Sequence, residues 1–202
     1  MADLFTYVVR YDIGFAPNPF HGVCTLATCK PGIRRAAKPG DWVAGIGSRQ
    51  KGQEGLLVFA MRVDEAVSYD EYWSDSRFER KKPNRVGSLK QRYGDNIYHR
   101  TPDGKSWAQE DGRHSLDDGT PNMDHVRRDT SAPRVLVSEN FAYYGDRAIA
   151  IPAEFRDWDG DDVSSSVRGY RRNFPDDLRE AFTTWLRSKA GEGIAGEPLD
   201  WR

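Results

Sequence analysis

The chain has 202 residues, enough for one domain with its own core, and 38% of them are hydrophobic against 30% charged. Six Trp, nine Tyr and nine Phe argue against disorder, because disordered chains are poor in aromatics. No apolar run reaches the roughly 18 residues of a membrane span, and Met-Ala-Asp-Leu-Phe is no secretory start, so a cytoplasmic protein without a membrane partner is expected. A formal net charge of -1 speaks against a nonspecific polyanion binder.

Leu4 to Tyr11 is rich in aromatic and β-branched residues and predicts a buried strand. Phe15 to Gly22 carries two prolines and an Asn, which predicts an ordered loop. Lys30 to Lys38 allows about two helical turns, and Pro39-Gly40-Asp41 is a turn leading into a strand at Trp42 to Gly47. Another strand is expected over Leu56 to Val63, then a short helix over Val67 to Trp73 entered at Ser68 with Glu71 three residues on. From Ser74 to Pro133 periodicity fails. A loop of that length inside a compact domain is functional or disordered, and Tyr93, Ile97, Tyr98, Trp107 and Met123 favour a functional one. Strands return at Arg134 to Ser138 and Ala148 to Ile151. Phe174-Pro175-Asp176-Asp177 starts a helix whose apolar stripe is Leu178, Ala181, Phe182, Trp185 and Leu186, closing near Gly191.

The expected organisation is therefore a single domain over 1–202. Its core lies at about 4–152 with a long insertion at 74–133, and a C-terminal helical segment covers about 174–191. The class is α+β, built as a small curved mixed sheet or a β-barrel with few helices and long loops. Neither a P-loop nor a G-x-G-x-x-G is present, which disfavours nucleotide-triphosphate and dinucleotide chemistry.

The near-zero charge hides segregation. Six basic residues lie between Lys30 and Lys51 against Asp41 alone, and seven between Arg77 and Arg92 against Glu79 alone. Lys30, Arg34 and Arg35 are the candidates for phosphate or base-edge contact. Candidate stacking rings are Phe20, Trp42 and Trp107, with Tyr72, Trp73 and Tyr98 behind them. For catalysis the candidates are Asp12 at a strand end, Asn18, and Cys24 or Cys29 as thiolate. His99, His21 or His114 would then serve as acid or base, since a Cys activated by His can attack a nitrile, amide or glycosidic carbon. Cys24 and Cys29 are expected as reduced thiols rather than a disulfide. His21, Cys24 and Cys29 form H-x2-C-x4-C, but zinc sites show tighter pairs and a fourth ligand, so no metal and no cofactor is expected.

Several segments resemble one bacterial and phage family, the nucleotide-modification-associated domain of type two. They are Tyr11-Asp12 with Gly14 to Phe20, Cys24 to Ala27 with Cys29-Lys30-Pro31, Ile33-Arg34, and Gly40-Asp41-Trp42-Val43 with Gly45. Gly94 to His99, Trp107, His114, and Val135 to Ser138 followed by Phe141, Tyr143, Tyr144 and Gly145 agree. Lys38 to Val43 and Leu56 to Trp73 are also similar to the PUA, ASCH and EVE group of small barrels. These resemblances imply a partner of DNA carrying modified bases, together with other DNA-modification proteins. They imply a role in binding, and acting on, a modified or flipped base, in settings such as hypermodification and phage defence. Two further readings stay open: a hydrolase or hydratase remodelling a hypermodified base such as a 7-deazaguanine derivative, and a PUA-like RNA-binding module.

Overall fold

The computed structural model describes residues 2–165 and 169–202. In chain order the strands and helices are β1 (Leu4–Val9), β2 (Cys24–Leu26), α1 (Pro31–Ala36), β3 (Trp42–Gly47), β4 (Leu56–Arg62) and β5 (Glu65–Ser68). There follow α2 (Tyr69–Ser74), α3 (Leu89–Arg92), β6 (Tyr98–Arg100), β7 (Trp107–Gln109), α4 (Met123–Thr130) and β8 (Arg134–Ser138). The last are β9 (Asn140–Tyr143), β10 (Ile149–Ala150), α5 (Asp176–Arg187) and β11 (Gly193–Ile194). Two compact units interleave along the chain: Met1–Asp12, Ala37–Asp64 and Ser138–Arg202 in one, Ile13–Ala36 and Glu65–Val137 in the other.

The first unit is built on a mixed sheet in the order β1-β3-β4-β9-β11, with β10 paired to β4. β1 and β3 run parallel with Leu4 opposite Trp42, whereas β3 and β4 are antiparallel with a register shift between Gly45 and Ile46. Gly45 is demanded by packing, because a Cβ there would sit 2.2 Å from the Phe59 ring. Trp42, Ala44 and Ile46 alternate along β3, so they share one face of the sheet. They join Leu178, Phe182 and Leu186 of the α5 stripe in a single core cluster, which is why that stripe recurs every three and four residues.

The second unit carries a three-stranded sheet, β2-β8-β5, and the hairpin β6-β7. Its core is mostly aromatic: Phe15, Tyr69, Tyr72, Phe78 and Tyr98 pack with Ile97, Val126, Val135 and Val137. α2 begins at a capping box in which Ser68 accepts from the Glu71 amide at 3.2 Å and Glu71 accepts from the Ser68 amide at 2.7 Å.

The mixed α+β class holds, but the barrel alternative does not. Among the described residues the sheets are open, with β1 and β11 as the ends of the larger one. The segment 74–133 folds into short elements, and Ile97 and Tyr98 are fully buried, whereas Met123 is 55% exposed. No helix among the described residues is long and apolar enough to cross a membrane.

Candidate active site

The second unit assembles a Cys-His-Asp chain. Cys29 follows β2 and precedes α1, His114 lies between β7 and α4, and Asp129 is in the last turn of α4. Cys29 Sγ is 3.6 Å from His114 Nε2, and His114 Nδ1 is 2.7 Å from Asp129 Oδ2. With the proton on Nδ1 donated to the carboxylate, Nε2 is the ring nitrogen left to exchange a proton with the sulfur. Cys29 keeps partial exposure, while Asp129 is fully buried and His114 nearly so.

The backbone around the sulfur is clamped in an uncommon conformation. Cys29 and Lys30 both have left-handed φ values, 56° and 39°. Consecutive non-glycine residues in that region persist only where surroundings enforce them. Here the Cys29 amide donates to Asp129 Oδ1 at 3.1 Å, and the Cys29 carbonyl accepts from Arg34 Nε at 2.9 Å.

Asp129 is the hub. It also accepts from the Tyr98 hydroxyl at 3.0 Å and from Arg128 Nε at 3.4 Å. Four donors fill the lone pairs of a carboxylate. Burial alone would push its pKa up, but the His114 bond and the neighbouring cations outweigh it and hold the carboxyl below its usual range. For His114 burial favours the neutral ring, but the bonds to Asp129 and Cys29 prevail and raise its pKa above the ordinary value. Gln109 Nε2 donates to the Tyr98 hydroxyl at 3.0 Å, and Gln109 Oε1 accepts from the Asn122 amide at 2.7 Å, which ties the hairpin to the start of α4.

His125 packs its ring 4.1 Å from that of His114. Burial, then the charges of His114 and Arg128, lowers its pKa to about 4, so it is neutral at pH 7. His114, His125 and Asp129 could supply three metal-ligand atoms within 4.8 Å of one another. Two of these donors already have partners, His114 Nδ1 with Asp129 and His125 Nδ1 with the Arg128 guanidinium at 2.7 Å. His21, Cys24 and Cys29 form no such group among the described residues.

The other expected site residues fall in different places. Cys24 is fully buried on β2, and burial pushes its thiol up to about 12, so it is an inert core thiol at pH 7. Arg34 is fully buried too, and donates to the carbonyls of Cys29, Ala132, Arg134 and Asp129 and to the Tyr69 hydroxyl. It is a clamp on the Cys29 backbone, and its guanidinium is turned to these acceptors inside the unit. Asn18 is buried, donating to the Tyr93 carbonyl at 3.0 Å and accepting from the Phe20 amide at 3.2 Å and from Lys81 Nζ at 3.0 Å. This network, with Thr25 and Asp95, holds the proline loop: burial lowers the Lys81 pKa to about 8, which leaves its ammonium the charged donor at pH 7.

His99 pairs with Glu110 at 2.8 Å and stacks on Trp73. Phe20 is buried beneath Lys90, and Trp42 is buried in the sheet core of the first unit, so neither presents a free face. Trp107 is half-buried, with the Arg100 guanidinium 3.8 Å from its ring centroid and Tyr69 edge-on at 5.5 Å. Lys30 is half-buried beside Cys29, and Arg35 donates to the Ser131 carbonyl at 2.9 Å. In the first unit Asp12 accepts from the Tyr143 hydroxyl and the Leu199 amide, a latch for the C-terminal residues.

His125, Asp129 and Tyr98 belong to the site without having stood out as catalytic candidates. The one local signal was His125 and Asp129 four residues apart behind an Asn122 cap, the spacing that puts two side chains on one helix face.

The chain belongs to the family described as nucleotide modification associated domain 2. That family's profile matches residues 1–202. Comparison with curated proteins and with solved structures finds no match. Family membership places the protein in a nucleotide-modification context.

Proposed function

We propose that this nucleotide-modification protein is a thiol-dependent hydrolase acting on an amide-type substituent of a modified base in DNA. The observation that carries the reading is the alignment of Cys29 Sγ, His114 and Asp129 at 3.6 and 2.7 Å. His114 Nε2 accepts the thiol proton as the sulfur attacks the substituent's carbonyl carbon, forming the S–C bond. The same nitrogen returns the proton to the departing amine as the C–N bond breaks, leaving a thioester. Water, deprotonated by His114, then breaks the S–C bond, and the products are the base-borne carboxylic acid and the restored thiol. Asp129 keeps its charge and holds the ring in the productive tautomer. Lys30 and Arg35, around α1, are the cations assigned to the DNA phosphates, and Trp107 is the ring assigned to the base.

The test incubates the protein with oligonucleotides bearing 7-deazaguanine carboxamide and analyses the nucleosides by mass spectrometry. Conversion of amide to acid by the wild type, lost in Cys29→Ala and kept in Cys24→Ala, is expected. Turnover that survives Cys29→Ala would refute the nucleophile. Unchanged nucleosides over a panel of amide- and nitrile-bearing bases would leave a binding protein only.

A further inference from the structure

The segment after the first helical turns of the second unit carries a feature that the thiol site does not use. Val86 is 94% exposed, the extreme for a large apolar side chain among the described residues, and Leu89 nearby is 37% exposed. Val86 is not on a loose loop. It sits in a tight turn closed by Gly87 N donating to the Asn84 carbonyl at 3.1 Å, with Asn84 Oδ1 accepting from the Val86 amide at 3.2 Å. Asn84 N donates to the Gln91 carbonyl at 2.9 Å, and Gln91 Oε1 accepts from the Ser88 amide at 3.0 Å, so both legs of the turn are tied.

Cations frame this tip. Arg80, Lys90 and Arg92 are exposed and make no ion pair among the described residues, unlike Lys82, which pairs with Glu79. Arg85, next to Val86, reaches the other way: its Nε is 3.5 Å from Asp111 Oδ1, and it donates to the Gly112 carbonyl at 3.5 Å. Gly112 is two residues before His114, so the turn and the loop that presents the catalytic imidazole are joined by a side chain.

An apolar tip flanked by Arg and Lys is the chemistry of a wedge that enters a base stack while cations hold the phosphates. A base inside a duplex is unreachable by a thiol, and extruding it leaves a gap that an apolar side chain can fill. We infer that the Asn84–Leu89 turn is a duplex-opening wedge, with Val86 entering the stack of double-stranded DNA and Lys90 and Arg92 on the adjoining phosphates. This rests on the reading that the substrate is a base in DNA.

The probe is a DNA duplex with 2-aminopurine at one position, whose fluorescence rises when the base unstacks. Wild-type protein raises the signal. Val86→Gly and Val86→Asp return it to the level of the free duplex, while anisotropy shows the same duplex bound within about threefold for Val86→Gly, less than one mismatched base pair typically costs. Lys90→Ala with Arg92→Ala lowers the slope of log affinity against log salt by about one for each phosphate that the pair no longer neutralises. A fluorescence rise equal in Val86→Gly and wild type, or none with the wild type, overturns the wedge. Turnover of a single-stranded modified oligonucleotide needs no wedge and stays at the wild-type rate in Val86→Gly. Loss of Cys29 dependence there strikes the thiol reading and leaves the wedge result standing.

Discussion

Cys24 and Cys29 lie on the same short stretch of chain yet differ in what governs thiol chemistry. One is sealed on β2 with its thiol pushed up to about 12, and the other is partly exposed and bonded to an imidazole. In the native protein iodoacetamide should therefore label Cys29 and leave Cys24 untouched until denaturant is added, as peptide mass spectrometry would show. Labelling of Cys24 at an equal native rate would contradict the burial. Replacing His114 by Ala removes the proposed proton acceptor, and a loss of about 10²–10⁴-fold in turnover is expected, the range for a positioned acid or base. Tyr98→Phe deletes one of four hydrogen bonds to Asp129. As a positioning residue it should cost about tenfold in kcat with KM unchanged, and a rise confined to KM would argue that Tyr98 meets the substrate instead.

The His114–Asp129 bond also predicts a pH dependence of stability. His114 is raised, so its contribution is whole below the unfolded imidazole value of 6.5 and is lost as pH rises through the folded one. Asp129 is lowered, so its contribution is whole above 3.8 and is lost as pH falls through the folded value. The stability gap between wild type and His114→Asn in urea titrations should be widest between those limits and should narrow at pH 9. An unchanged gap at pH 5 and pH 9 would exclude the charged pair.

Local patterning marked several elements well. The β3 and β8 strands coincide with their expected ranges, α2 starts at the expected Ser68 cap, and the α5 stripe faces the core as its spacing requires. The hairpin β6-β7 and helix α4 carry no such pattern, because both are short and polar and acquire their burial from partners distant in sequence. α4 depends on its ends: Asn122 Oδ1 accepts from the amides of Asp124 and His125 at 3.1 and 3.3 Å. Asn122→Ala should lower stability by about 1 kcal/mol and weaken the placement of Asp129 at the far end of the same helix. Arg34 is a larger case. Removing it leaves several buried carbonyls without donors, so Arg34→Met should cost ~3 kcal/mol or more by denaturant unfolding. Arg34→Lys should recover little, because a single ammonium cannot reproduce a planar fork of five donors. Full stability in Arg34→Lys would show that charge alone matters there.

The net charge of -1 has a different meaning once the basic residues are placed. Arg34 and Lys81 are consumed inside, and Arg77, Lys82 and Arg85 pair with acids, so the clusters offer fewer free cations than their sequence suggests. Plain duplex DNA should then bind weakly at physiological salt, with Kd of roughly 10⁻⁴–10⁻⁶ M, and a modified base should supply most of any tighter affinity. Nanomolar binding to unmodified DNA in a fluorescence titration would show a basic face larger than the one described.

Sequence alone determined the strands with strong β pattern, the C-terminal amphipathic helix, the ordered proline loop and the family. All of these are written in residues close together, through backbone preference and hydrophobic period. Tertiary structure decided which cysteine meets a histidine, which histidine that is, and that Arg34 faces inward. Cys29 is 85 residues from His114 and 100 from Asp129, and no local pattern encodes such a distance. Their meeting is the outcome of packing an aromatic core, which draws polar side chains inward only where each finds its partners.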